Sequence, residues 1–153
     1  MYGLGFFLLV AFILSVLWVI RRGIESAAFR AAEKAAGQGQ HAQAIREVLK
    51  AEQRWGFNTA HDVRSTRVAA LDRLDKLVRF ACAQAEALGR PIDAREVGMT
   101  THHLRHLLGT KEHYSWGSET SLKGEFKQHV GPLMAQLTGA RQRFRAACSQ
   151  VSS

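Results

Sequence analysis

The clearest helical periodicity in the chain lies in 71-LDRLDKLVRFACAQAEAL-88. Apolar and small residues recur in it at intervals of three and four, at Leu71, Leu74, Val78, Ala81, Ala85 and Leu88. This heptad spacing places them on one face of an α-helix. Upstream the same face meets Arg67 and Arg64, so the seam is too short for a sustained coiled coil. The pattern favours a helix packed inside this chain's own bundle, with a dimer seam as the alternative.

The rest of the chain also indicates helices and turns. The 153 residues include only two prolines, and no apolar alternation of period two runs for more than a few residues. We therefore predict an all-α fold. The expected helices cover residues 24–36, 41–55, about 58–89, shorter pieces up to 109, 121–130 and 132–148.

Residues 2–20 carry no charged side chain. As a helix they would be about 28 Å long, close to the roughly 30 Å of a hydrocarbon core. Tyr2 and Trp18 stand where interfacial aromatic residues are common, and Arg21 and Arg22 follow directly. The sequence predicts one N-terminal transmembrane helix followed by a small cytosolic helical bundle.

The flanking charges predict the orientation and the domain boundaries. Arginines just after the span favour the cytoplasmic side, which puts the N-terminus outside a single-pass inner (cytoplasmic) membrane protein. The expected division is a transmembrane anchor (1–20), a juxtamembrane helix (21–36), a helical domain (37–149) and a disordered tail (150–153). In the cytoplasm Cys82 and Cys148 would be reduced thiols.

The formal net charge of +8 draws the domain towards anionic lipid head groups or nucleic acid. On the last predicted helix, Arg141, Arg143 and Arg145 surround Phe144. That helix is either an interfacial helix on an anionic surface or the solvated side of a bundle helix.

Small and turn residues lie on both sides of the break between the first two predicted helices, at Ala32, Ala35, Gly39, Ala44, Val48 and Ala51. In this spacing residues 32–51 resemble a single tetratricopeptide repeat, in which two antiparallel helices approach closely. No second copy of the pattern occurs thirty-four residues further on. The resemblance therefore implies one helical hairpin.

Residues 90–109 resemble a DNA-binding helix-turn-helix. Ala94 matches the small residue where the two helices meet, Gly98 the turn, and Thr100 the cap of the second helix. The apolar contacts of the motif fall on Val97, Met99, Leu104 and Leu107. The resemblance implies that base-reading side chains would be Thr101, His102, Arg105 and His106.

His102 and His106 are one helical turn apart and are candidate metal ligands. Asp93, Glu96 and Glu112 are candidate third ligands, but no glutamate lies between the two histidines as metallohydrolase motifs require. The more common state of such residues is exposed histidine on an amphipathic helix. We therefore predict no metal and no other cofactor.

No phosphate-binding loop, dinucleotide fingerprint or nucleophile elbow occurs in the sequence, so we predict no enzymatic activity and no catalytic residues. The leading hypothesis is a membrane-anchored helical adaptor or accessory subunit of a membrane protein complex. The alternative is a membrane-tethered helix-turn-helix DNA-binding protein.

The expected partners are the membrane and proteins whose identity the sequence does not give, and nucleic acid belongs to the alternative hypothesis. Self-association could use Ala11 and Ser15, a pair of small residues four apart, or the seam from Leu71 to Leu88.

Overall fold

A computed structural model describes residues 2–54, 68–112 and 119–153. Within these ranges the chain forms five α-helices and no strand. They are α1 (Tyr2–Gly37), α2 (His41–Arg54), α3 (Val68–Ala87), α4 (Arg95–Glu112) and α5 (Glu119–Ser152). The prediction of an all-α fold is confirmed. The predicted start of the third helix near residues 58–59 lies outside the described residues.

The structure contradicts the N-terminal transmembrane helix. Within the described ranges, no helix combines the length and the apolar character that crossing a membrane requires. The predicted anchor at residues 1–20, the single-pass location in the inner membrane and the N-outside orientation with a cytoplasmic domain are therefore wrong.

α1 and α2 form a helical hairpin through residues 38–40. Gly39 has a φ of 73°, a left-handed conformation that glycine adopts without the steric cost of a Cβ atom. The Gln40 amide donates to the Ala35 carbonyl (2.9 Å), and the Gly39 amide donates to the Ala36 carbonyl (3.0 Å). These two hydrogen bonds make the Schellman motif that ends α1.

The two helices of this hairpin pack through small residues. Those that carry the resemblance to the tetratricopeptide repeat are buried, namely Ala32, Ala35, Ala44, Val48 and Ala51. Their short side chains let the two backbones approach closely. Membership of that repeat family stays a prediction.

The turn between α3 and α4 repeats the same chemistry. Gly89 has a φ of 69°, its amide donates to the Glu86 carbonyl (2.8 Å), and the Arg90 amide donates to the Ala85 carbonyl (3.0 Å). A second Schellman motif therefore ends α3. The Arg95 amide donates to Asp93 Oδ1 at 2.9 Å, so Asp93 caps the start of α4.

α5 is one helix where the sequence predicted two, at residues 121–130 and 132–148. Pro132 lies inside it, on an exposed turn. Proline has no N–H for the carbonyl four residues earlier, on Gln128, and Gln128 is itself an exposed residue. The helix also continues into the predicted disordered tail, where the Ser152 carbonyl accepts a 2.9 Å hydrogen bond from Arg46 Nη1.

The core joins all five helices, and α2 contacts α1, α3 and α5. The seam quoted above contributes Leu71, Leu74, Val78, Ala81 and Ala85, each buried, whereas Leu88 is exposed. These seam residues therefore pack inside the bundle of this chain. The largest fully buried side chains are those of Ile45, Leu71, Leu104, Leu108 and Leu137.

Candidate functional site

α4 carries the residues for which the sequence predicted DNA or metal binding. It runs as one helix from Arg95 to Glu112. Gly98, the predicted turn residue, lies inside this helix, and its amide donates to the Ala94 carbonyl at 3.0 Å. The predicted turn at Gly98 is therefore absent, and the chain reverses direction at Gly89 instead.

Thr101 faces the interior of the bundle and is fully buried. Its hydroxyl lies 3.0 Å from Asp75 Oδ1 on α3, and 2.9 Å and 3.0 Å from the carbonyls of Val97 and Gly98. One hydroxyl proton serves these three acceptors. Thr101, predicted to read bases, therefore fixes α4 against α3.

Arg105 faces α3 as well. Its Nη2 lies 2.9 Å from Asp72 Oδ1 and also forms an ion pair with Asp75. The Asp75 side chain is 14% exposed, which shields this inner pair from water, whereas the Asp72 side chain is 61% exposed. Arg105, also predicted to read bases, is therefore held against α3 by two carboxylates.

His102 and His106 lie on the opposite, exposed side of α4, together with His103 and Met99. The rings of His102 and His103 are 6.1 Å apart between centroids. Within the part of the chain that the structure describes, no group of three or more histidine, cysteine, aspartate or glutamate side chains could hold a metal ion.

The candidate third ligands have other partners or are not described. Asp93 caps α4, and Glu96 Oε2 accepts from Arg143 Nε at 2.9 Å in an exposed pair between α4 and α5. The side chain of Glu112 lies outside the described residues. The structure therefore brings His102 and His106 onto one surface without a third ligand from these positions.

A buried carboxylate on α2 binds two arginines of α5. Glu52 and Arg141 are almost completely buried and form an ion pair. Arg145 Nε lies 2.6 Å from Glu52 Oε2, and Arg145 Nη2 lies 2.7 Å from Glu52 Oε1. Charge-assisted, two-point contacts of this kind are among the stronger hydrogen bonds in proteins. They fix α5 against α2.

Sequence reasoning missed this cluster, although a signal was present. Glu52 follows Ile45 and Val48 on the buried stripe of α2, at the spacing three then four. Arg141 stands between Leu137 and Phe144 on the buried stripe of α5. One acid and one base, each at an apolar position, indicate a buried pair. An interfacial helix is not consistent with these contacts of the α5 arginines.

Cys148 is buried in the core and Cys82 is partly buried against it, and both thiols stay protonated at neutral pH. Burial, with smaller contributions from the neighbouring Cys82 and Glu52, raises the pKa of Cys148 to about 12. Burial also raises the pKa of the Cys82 thiol, with smaller contributions from Glu86 and Asp93. Since the thiolate is the reactive form, neither position suits a nucleophile.

The first part of α1 has an entirely different surface. We call residues 6–20 the apolar half of α1. Its described large apolar side chains are all exposed, from 37% at Val10 to 76% at Phe7. The exposed positions run consecutively over residues 5–17, so they cover every face of the helix.

Two predictions fall within or next to this segment. Ala11 and Ser15 are both exposed, and the Ser15 hydroxyl donates to the Ala11 carbonyl at 2.8 Å, so the serine is satisfied within its own helix. The structure does not describe the side chains predicted at a membrane interface, which are those of Tyr2, Trp18, Arg21 and Arg22.

The described structure thus defines an all-helical bundle with an apolar helical extension. No protein-family model, no curated protein and no solved structure matches the chain. The resemblances to the helix-turn-helix and to the tetratricopeptide repeat therefore stay predictions.

Proposed function

We propose that the protein is a helical adaptor, an accessory subunit that binds partner proteins through the apolar half of α1. One observation carries this proposal: the described large apolar side chains of residues 6–20 are exposed, whereas those of α2 to α5 mostly pack in the core.

The free energy available from this surface is large. Burying one large apolar side chain contributes about 1.5–3 kcal/mol. Because the exposed residues surround the helix, a single partner helix would cover only one side of it. A helix that is apolar all round is typical of a protein interior. We therefore infer a partner that contributes several apolar helices.

The other half of α1 gives this segment a firm base. Phe29 packs edge-on against Phe80 of α3, with ring centroids 5.3 Å apart, and Lys76 Nζ lies 4.4 Å from the centre of the Phe29 ring. Ala32 and Ala35 are buried against the bundle. Since α1 is one continuous helix, its apolar half extends from a fixed position, which suits a subunit that joins partners at a defined distance.

The experiment is purification of the full chain from its native cells under non-denaturing conditions, with quantitative mass spectrometry of what accompanies it. We expect a partner in constant stoichiometry. The double variant Phe7→Gln/Phe12→Gln should lose it, because both side chains are exposed in the apolar half of α1.

Met99→Gln is the matched control, since Met99 is also a large exposed apolar residue but lies on α4. It should retain the partner. Far-ultraviolet circular dichroism should show equal helix content and equal melting for all three proteins. Retention of the partner by the double variant, or recovery of the wild-type chain as a lone monomer, would contradict the proposal.

A further inference from the structure

The continuity of α4 through Gly98 places His102 and His106 one turn apart on its exposed face. Residues four apart on a helix are neighbours, with Cβ atoms about 5–6 Å from each other. Imidazole nitrogens bind transition metals at about 2.0–2.1 Å. Two imidazoles with this spacing can reach one ion between them.

The residues on the opposite face keep this stretch of helix fixed. Thr101 and Arg105, which directly precede the two histidines, both bind Asp75 of α3. Leu104, between them, is fully buried. The helix is therefore formed and held before any ion arrives, so little conformational entropy is lost on binding.

The local charge also permits a cation. Arg105 is the nearest described basic side chain to both histidines in sequence, and Asp72 and Asp75 both bind it. Its positive charge is therefore more than compensated. Arg95, on the same face as His102, is seven residues away, about 10 Å along the helix axis and near the Debye length at moderate salt.

We propose that His102 and His106 form a two-imidazole site for a late divalent transition-metal ion, copper(II) before nickel(II) and zinc(II). The order is that of the intrinsic affinities of nitrogen ligands for these ions. No third ligand converges in the described residues, so water completes the coordination. The site is independent of the apolar half of α1.

The test uses the full chain without a histidine tag, stripped of metal with a chelator and titrated calorimetrically with copper(II), nickel(II) and zinc(II). We expect one copper site, with affinities falling in that order. His102→Ala and His106→Ala should each weaken copper binding at least about tenfold, because each converts a chelate into a single contact.

His129→Ala is the matched control, since His129 is exposed on α5 and has no other histidine within four residues of it in the sequence. Its copper affinity should stay within about twofold of wild type. Electron paramagnetic resonance should show two imidazole nitrogens on copper in the wild type and one in either single variant. Equal losses in all three variants, or no copper binding by the wild type, would overturn the proposal.

Discussion

The apolar half of α1 and the interface between α2 and α5 distribute their side chains in opposite ways. In the first, phenylalanines such as Phe7 and Phe12 are exposed to solvent. In the second, Glu52 and Arg141 are buried in an ion pair, and Arg145 adds a second contact to the same carboxylate. Each region departs from the usual pattern of apolar residues inside and charges outside.

The difference separates two roles. A buried ion pair contributes little net stability over apolar residues, but removing one partner is costly, so it fixes one arrangement of helices. Exposed apolar side chains contribute nothing to this bundle and gain free energy only when another surface covers them. The buried ion pair thus fixes how the helices of the bundle pack, and the apolar half of α1 provides the surface for a partner.

We expect the largest loss of stability when the buried ion pair is broken. Glu52→Ala should lower the free energy of unfolding by about 3–5 kcal/mol, because Arg141 would stay buried without its carboxylate. Urea denaturation followed by circular dichroism measures this change.

A matched exposed pair serves as its control. Glu96→Ala breaks the contact with Arg143, whose side chain is 65% exposed, and should cost at most about 1 kcal/mol. The double variant Glu52→Leu/Arg141→Met should recover most of the stability lost in Glu52→Ala. Equal losses for Glu52→Ala and Glu96→Ala would mean that the buried cluster does not fix the fold.

The next largest loss of stability is expected when a core side chain of α4 is shortened. Leu104 is fully buried, and Leu104→Ala should cost about 2–5 kcal/mol through lost burial and the cavity left behind. The free energy of unfolding from chemical denaturation is again the measure. Leu88→Ala, at a side chain 37% exposed, should cost distinctly less. A reversal of this order would show that α4 is packed differently.

A smaller effect is expected at Thr101. Thr101→Val removes the hydroxyl that lies 3.0 Å from Asp75 and keeps the shape of the side chain, so the expected loss is about 1–2 kcal/mol. Thr101→Ser keeps the hydroxyl and should restore the hydrogen bond, though not the buried methyl group. If Thr101→Val is as stable as wild type, the contact between α3 and α4 does not depend on this hydroxyl.

The buried thiol predicts a pH dependence at alkaline pH. The pKa of Cys148 is raised from 9.0 to about 12, so above pH 9 the unfolded chain loses this proton while the folded chain retains it. Unfolding is then favoured, and the stability contributed by the thiol falls as the pH rises from about 9 towards 12. In Cys148→Ala this part of the decline should be missing. If wild type and Cys148→Ala lose stability equally between pH 9 and 12, the raised pKa of Cys148 is contradicted.

Much of the bundle could be predicted from spacing alone. The seam from Leu71 to Ala85 is buried as its heptad pattern indicates, and Gly39 and Gly89 occupy the turns that end α1 and α3. These features are local, since they depend on residues within one or two turns of each other.

The errors arose where distant residues decide the structure. Glycine is common in turns, so Gly98 suggested one. The helix is unbroken there, and Thr101 and Arg105 on the same helix contact α3. Glu52 and Arg141 are far apart in sequence, so their pairing is not visible in either helix by itself. Periodicity also gives no information on what covers an apolar helix, which is why residues 2–20 suggested a membrane span.

Binding of a partner by the apolar half of α1 can be tested by site-specific photo-cross-linking in native cells, with a photoreactive phenylalanine analogue placed at Phe12 or, as a control, at Met99. We expect an adduct with one partner species from position 12 and none from position 99. Absence of an adduct at position 12, equal adducts at both positions, or adducts only between two copies of this chain would contradict it.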